Sequence, residues 1–260
     1  MRLHREVRGD GPPVLLVHAA IADSRMWEPL GERLVAAGHR VITCDLPGFG
    51  RTPLPPGIIS NAAELAGLLD ELRIERAAVV GASFGGRVAL ELALRAPERV
   101  TALALLGSSL DEYERSDERD AFDAEEATAA EAGDLDAATE LNVRMWLDRP
   151  GRTGVDPAVR ELVRAMQRRA FELQDGVEAE VEELEPPAAR RLAEIHAPAL
   201  VLVGEDDVED FQRIAERVAR KLPGAEPLVR IAGAAHLPAL ERPAEVADVL
   251  VPFLSRHAPA

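Results

Sequence analysis

One serine and two downstream polar positions supply the residue types that acyl-transfer chemistry needs. Ser83 stands in the run Gly-Ala-Ser-Phe-Gly, residues 81–85, a Gly-x-Ser-x-Gly pattern in which the serine has neighbours without bulk. A serine hydroxyl is a poor nucleophile at neutral pH until a base takes its proton, and the base is usually a histidine oriented by a carboxylate. His236 provides such a histidine and Asp206 or Asp207 such a carboxylate, so these residues could form an acyl-enzyme.

An acyl-transfer site also needs two hydrogen-bond donors for the oxyanion. Phe84 follows the serine directly, so its N–H is one candidate, and the N-terminus of the next helix adds partial positive charge. We expect the second donor from the loop after the first core strand, near Ala20. The alternative is a glycine-rich turn without chemistry, since short glycine patterns recur by chance. For His236 the equivalent alternative is a loop histidine without a role.

The positions of interest follow predicted strands. Short apolar runs predict buried strands at residues 13–17, 40–44, 77–80, 100–106, 199–203 and 227–231, with helical patterns between them, including one at 87–96. Such alternation indicates a mostly parallel sheet covered by helices on both faces. Sites in these sheets form at the carboxyl ends of the strands. Ser83, the two aspartates and His236 are therefore expected along one edge, with His18 as a structural residue nearby.

Residues 109–189 do not show this alternation of strand and helix patterns. Helical spacing of apolar residues predicts an amphipathic helix from about Val155 to Leu173, and a second helix is expected over residues 135–147. The segment holds 23 acidic and 9 basic residues, a net charge of −14 out of −16 for the whole chain. Its apolar side argues against a free linker. We predict a helical cap over 109–189, on a core formed by 1–108 and 190–260.

Composition excludes several kinds of partner. A net charge of −16 argues against nucleic acid, and no apolar run approaches the roughly 20 residues that span a bilayer. The N-terminus lacks a signal-peptide apolar core, and the lone Cys44 fits a reducing compartment, so we expect a cytoplasmic protein. No spacing of histidine, cysteine and acidic residues indicates a metal site, and no cofactor is expected. A homodimer stays open.

The chain resembles α/β-hydrolase fold proteins with a helical cap, in the branch of small serine esterases, lactonases and perhydrolases. The resemblance covers nearly the whole chain and rests on His18-Ala-Ala, Ser24-Arg-Met-Trp27, Asp45-Leu-Pro-Gly-Phe-Gly50, Gly81-Ala-Ser-Phe-Gly-Gly86, Gly204-Glu-Asp-Asp207 and Ala235-His-Leu-Pro238. In this family the acid stands three residues after the strand-end glycine, which selects Asp207 over Asp206. The family's oxyanion donor maps onto Ala20, where this chain has His-Ala-Ala instead of the usual His-Gly.

The resemblance and the residues together predict a serine hydrolase of small carboxylic esters or lactones. We assign Trp27, Met145 and Trp146 to the substrate pocket, with packing between lid and core as the alternative for Trp146. Enol-lactonase activity is an alternative hypothesis, because the segment ending in Trp27 resembles the corresponding segment of 3-oxoadipate enol-lactonases. C–C bond hydrolysis and cofactor-free perhydrolysis use the same residues, and a ligand-binding receptor on this scaffold is a rival from another class.

The charge of the predicted cap bears on the substrate. An acidic lid should repel a dianion, so electrostatics favours neutral esters or lactones. One arginine pointing inward would reverse that preference by pairing with a substrate carboxylate. The candidates considered for that role are Arg144, Arg160, Arg164, Arg168 and Arg169.

Overall fold

The computed structural model describes residues 2–257, so residue 1 and residues 258–260 of the predicted core lie outside the described part. The described strands are β1 (Arg5–Arg8), β2 (Pro13–Val17), β3 (Arg40–Cys44), β4 (Gly57–Ile59), β5 (Ala77–Ala82), β6 (Val100–Leu106), β7 (Ala179–Val181), β8 (Ala199–Gly204) and β9 (Val229–Ile231). The α-helices are α1 (Glu28–Ala36), α2 (Asn61–Glu71), α3 (Phe84–Arg95), α4 (Asp117–Glu131), α5 (Leu135–Val143), α6 (Pro157–Gln174), α7 (Ala188–Arg191), α8 (Glu209–Lys221), α9 (Pro238–Glu241) and α10 (Pro243–His257).

Seven strands form one sheet in the order β1-β3-β2-β5-β6-β8-β9, and only β1 runs antiparallel to its neighbour. The central strands are buried on both faces, which explains their continuous apolar runs. Alternate residues of β2 enter two separate apolar clusters, Val14 and Leu16 on one face and Leu15 and Val17 on the other. Helices α1 and α10 pack on the first face, and α2 and α3 on the second.

Two local features differ from the sequence-based expectations. Helix α3 begins at Phe84, directly after Ser83, rather than at Arg87, because the turn between strand and helix is a single residue. The predicted helix over 135–147 is divided into α5 and a π-helical turn at Arg144–Asp148. Single π-helical turns are rare and often occur at functional sites.

The segment between β6 and β8 is mostly helical. Helices α4 to α6 begin at side-chain caps, in which Ser116, Asp134 and Asp156 accept hydrogen bonds from backbone N–H groups of the first turn. The same segment contains β7, which pairs with β4 in a two-stranded parallel sheet that was not predicted. All three residues of β7 are exposed, so this strand lacks the apolar pattern on which strand prediction depends.

Across residues 2–257, no helix combines the length and the apolar composition that a bilayer crossing requires.

Candidate active site

Ser83 occupies a strained turn between β5 and α3. Its backbone has φ 49° and ψ −115°, a left-handed conformation that costs a non-glycine residue roughly 1–3 kcal/mol. The glycines on either side permit the turn. A Cβ at position 81 would lie 2.4 Å from the carbonyl oxygen of Gly85, and a Cβ at Gly85 would lie 2.2 Å from the carbonyl oxygen of Val17. Backbone contacts as close as these exclude any larger residue, which gives the Gly-x-Ser-x-Gly spacing its physical reason.

His236 and Asp207 meet in the loops that follow β9 and β8. Nδ1 of His236 lies 3.0 Å from both carboxylate oxygens of Asp207, and both side chains are almost completely buried. The backbone N–H of Val208 donates to Asp207 Oδ1 at 2.7 Å and holds the carboxylate in place. With Nδ1–H donated to Asp207, Nε2 is the ring nitrogen left as a proton acceptor. Asp206 instead lies 3.2 Å from Arg152 Nε at the surface, away from the imidazole.

One cavity of about 350 Å³ brings the predicted residues together. Ser83, His236, Ala20 and Phe84 all line it. The N–H of Phe84 is the first of α3 and has no intrahelical acceptor, and the N–H of Ala20 donates to no residue in the described range. Both donors are therefore unsatisfied beside the serine, as an oxyanion site requires.

His18 holds the loop that carries Ala20. Its Nδ1 lies 2.9 Å from the carbonyl oxygen of Ala19, and its Nε2 accepts the N–H of Leu46 at 2.9 Å. One donating and one accepting nitrogen correspond to a neutral imidazole, and burial lowers the pKa of His18 in the same sense. The arrangement agrees with a structural role.

The three residues assigned to the pocket have different positions. Trp146 lines the cavity, whereas Met145 is buried in the apolar core and does not line it. Trp27 is completely buried in the core against α1 and lines no part of this cavity, so its assignment to the pocket is corrected. Its short helix, Ser24–Trp27, directly precedes α1.

Trp146 contacts the imidazole of His236 directly. The ring centroids are 4.7 Å apart, and the carbonyl oxygen of Trp146 accepts the backbone N–H of His236 at 3.2 Å. Phe211 packs on the imidazole at 4.2 Å between centroids. The indole N–H donates to Asn142 at 3.1 Å, which fixes the ring. The π-helical turn at Arg144–Asp148 thus positions an aromatic side chain and a carbonyl group against His236.

Sequence reasoning missed the polar residues that α4 and α6 contribute to the cavity. Arg119, Phe122 and Glu126 line it from α4, and Gln167 lines it from α6. The signal was the spacing of 119, 122 and 126, which places three side chains on one helix face. None of the five cap arginines considered earlier lines this cavity. They face carboxylates of the cap itself, as Arg160 and Arg164 do with Glu140.

No grouping of three or more histidine, cysteine or acidic side chains able to hold a metal ion occurs between residues 2 and 257. The cavity brings together a serine on a strained turn, an oriented imidazole and two backbone donors.

Residues 14–249 match the model of the alpha/beta hydrolase family. The chain is a member of this family. Its sheet order and the loops after β5, β8 and β9 are those of an α/β-hydrolase fold, mostly parallel and flanked by helices.

Individual relatives of this α/β hydrolase differ in reaction. A 2-hydroxy-6-oxo-2,4-heptadienoate hydrolase from Pseudomonas putida is 40% identical over 120 residues, which are 44% of this chain and 43% of the relative. The match thus spans under half the length of that curated relative. A thermophilic esterase from Thermogutta terrifontis, solved with malate bound, is 27% identical with a TM-score of 0.77, covering 98% of this chain and 94% of that one. An enol-lactonase from Burkholderia xenovorans has a TM-score of 0.79 at 23% identity, covering 97% and 96%, and shows the fold alone.

Proposed function

We propose that this α/β hydrolase is a serine hydrolase that cleaves small carboxylic esters or lactones through an acyl-enzyme on Ser83. The observation that carries the proposal is the contact of His236 Nδ1 with Asp207 at 3.0 Å, beside a cavity that Ser83 and His236 both line. Asp207 holds the imidazole in the tautomer whose Nε2 can take a proton from the serine. A cytoplasmic location goes with it, supported by the single buried thiol of Cys44.

In the first step, Nε2 of His236 removes the Ser83 proton as Oγ attacks the carbonyl carbon of the substrate. The negative oxygen of the tetrahedral intermediate lies between the N–H groups of Ala20 and Phe84. The imidazolium then gives its proton to the departing alkoxide, leaving an ester on Ser83. In the second step His236 activates a water, which releases the acid and restores the serine.

A second candidate reaction is hydrolysis of a C–C bond in a carboxylate-bearing substrate. It is favoured by the 40% identity to the heptadienoate hydrolase over 120 residues. That relative is matched over less than half its length. We therefore keep ester or lactone hydrolysis as the first proposal, because it is supported by the geometry of the site. A panel of neutral esters, lactones and 2-hydroxy-6-oxo-dienoates, compared by kcat/KM, separates the two.

The test of the proposal is covalent labelling together with turnover. p-Nitrophenyl butyrate should be hydrolysed, and a serine-directed phosphonate should abolish turnover and add its mass to the peptide that contains Ser83. Ser83→Ala should remove both the label and the activity, while Ser109→Ala, at another serine that lines the cavity, should keep the label. An adduct on another residue, or full activity of Ser83→Ala, would contradict the proposal. Binding without turnover would favour the receptor.

A further inference from the structure

Arg119 brings a positive charge to the cavity beside Ser83. It is the single Lys or Arg among the described residues that line this cavity. Its guanidinium lies over the ring of Trp146, 4.7 Å from the centroid, and 5.3 Å from that of Phe122. Burial lowers the pKa of Arg119, because the charged form has lost solvent there. The aromatic faces and the carboxylates of Glu126 and Asp210 act in the opposite direction.

The compensation of Arg119 by the protein is incomplete. Asp123 Oδ1 lies 3.1 Å from Nε, but without the geometry of a hydrogen bond, and Nε is buried with no acceptor. The other oxygen of Asp123 pairs with Arg115. Neither Nη of Arg119 donates a hydrogen bond to any residue in the range 2–257. An arginine with its fork unpaired beside a cavity is suited to a carboxylate, which can accept two parallel hydrogen bonds.

The acidic side chain in the same cavity already has a hydrogen-bond partner. Glu126 accepts a hydrogen bond from the side-chain amide of Asn142, which also donates to the carbonyl oxygen of Ala138 at 3.0 Å. A cationic ligand group would have to displace Asn142 from Glu126. An anionic group could accept hydrogen bonds from Arg119 without displacing an existing one. This part of the cavity is therefore better suited to an anion than to a cation.

A second, more apolar cavity adjoins the site. It has a volume of about 300 Å³ and shares Ala20, Phe49, Phe84 and Gln174 with the first. Its remaining walls are mainly aliphatic and lead out between the core and the β4–β7 pair: Pro47, Leu54, Ile59, Ala179 and Val181. The two oxyanion candidates thus line both the cavity that contains Arg119 and Glu126 and the more apolar second cavity.

We propose that Arg119 binds a carboxylate of the substrate, so that this enzyme prefers esters or lactones that carry a second, anionic group and an apolar remainder. The inference rests on the proposed function of Ser83. The net charge of the cap does not oppose it, because exposed charges are screened beyond about 10 Å. Direct hydrogen bonds to the free Nη groups of Arg119 outweigh that screened field.

Two matched ester pairs test the proposal. In the first, mono-p-nitrophenyl adipate is compared with its methyl ester, so the charge is on the acyl side. In the second, 4-carboxyphenyl butyrate is compared with the 4-methoxycarbonyl compound, so the charge is on the alcohol side. In at least one of the two pairs, Arg119→Gln should lower kcat/KM for the anionic member about 10- to 100-fold more than for the neutral member. This is the range expected for the loss of a charged hydrogen bond. Arg119→Lys should restore part of the difference, since it keeps the charge without the fork.

Arg144→Gln is the matched control, because it removes one positive charge from an exposed site on the cap. It should leave the anionic-to-neutral ratio of both pairs unchanged. Equal losses for both members of both pairs in Arg119→Gln would overturn the proposal and show that Arg119 only supports Trp146. A ratio altered equally by Arg144→Gln would also overturn it, because a general field would then be the cause.

A binding measurement separates failure of this inference from failure of the proposed function. Adipate is titrated calorimetrically into Ser83→Ala protein and into Ser83→Ala/Arg119→Gln protein. Binding that the second substitution weakens at least tenfold supports the carboxylate site even if no ester is turned over. Equal affinity of the two proteins, or no binding to either, overturns it whatever the esterase result.

Discussion

Arg152 and Glu241 form a nearly buried ion pair, with Arg152 Nη2 2.7 Å from Glu241 Oε2 and the side chains 11% and 5% exposed. The carboxylate of Glu241 also accepts the N–H groups of Ala235 and Leu237, at 3.1 and 3.0 Å. These are the two neighbours of His236. Arg152 belongs to the segment between β6 and β8, so a residue from the cap side holds the loop of the candidate base.

We expect Arg152→Met to lower kcat up to about 100-fold with little change in KM, because a shift of about 1 Å in a reacting group has an effect of that size. Stability should fall by about 3–5 kcal/mol, since the pair is buried and the charge of Glu241 would lose its counter-ion. Burial already raises the pKa of Glu241, and Arg152 opposes that rise. Steady-state kinetics and urea unfolding measure the two effects.

The matched comparison is the double variant Arg152→Met/Glu241→Gln, in which no buried charge is left unpaired. It should recover stability relative to Arg152→Met but not kcat, because the N–H groups beside His236 keep a weaker acceptor. Recovery of both together would show that Arg152 contributes stability alone.

Asp207→Asn should lower kcat by up to about four orders of magnitude, because the amide no longer selects the correct tautomer of His236. Asp206→Asn is its neighbouring control and should change kcat far less, since Asp206 faces Arg152 at the surface. Kinetics of the two purified variants decide the matter. A larger loss of kcat in Asp206→Asn would contradict the assignment of Asp207 as the carboxylate that orients His236.

Trp146→Ala should shift the preference among acyl-chain lengths, because the indole lines the cavity and packs 4.7 Å from the imidazole of His236. A general loss of kcat is expected as well, since the ring helps to orient that imidazole. The measurement is kcat/KM over p-nitrophenyl esters from acetate to octanoate. Met145→Ala, at a buried neighbour that does not line the cavity, should keep the wild-type profile. If the relative kcat/KM values across the ester series are the same in Trp146→Ala and wild type, Trp146 contributes only to packing.

Glu91 makes a prediction about pH and stability. Burial raises the pKa of this side chain to about 7, against the smaller opposite effect of Arg87 at 3.5 Å. The folded state therefore keeps the proton between pH 4.5 and about 7 while the unfolded chain loses it, so this contribution to stability is full below pH 4.5 and is lost as pH rises through 7. The full loss is roughly 3 kcal/mol, at 1.36 kcal/mol per unit.

Glu91→Gln should accordingly lose less stability than the wild type between pH 5 and pH 8. Urea unfolding at both pH values gives the two differences, and Glu98→Gln, at an exposed residue, controls for the loss of a carboxylate. If the pH dependence of Glu91→Gln equals that of wild type, Glu91 does not titrate in this range.

Local chemistry explains what could be predicted from the sequence. The strands were recognisable because residues buried on both faces form continuous apolar runs, and Ser83 because its turn tolerates only glycine two positions away. Asp207 and His236 could be aligned at one sheet edge because parallel strands end there. Their catalytic roles remain predictions for the variants above. Strand β7 was not predicted, because it is only three residues long and fully exposed, and therefore shows no apolar pattern.

Patterns within a few residues were enough to predict the family, the sheet and the side of the sheet where the polar residues gather. Which side chains of residues 109–189 face the cavity depends on how distant elements pack together. Trp27 and Arg119 illustrate the difference: the indole is buried in the core, and the arginine reaches the site although the cap is strongly acidic. The direction of a side chain depends on how a helix rotates against distant elements, and contacts such as Arg152 with Glu241 join residues far apart in the chain. Spacing along one helix carries no information about that rotation.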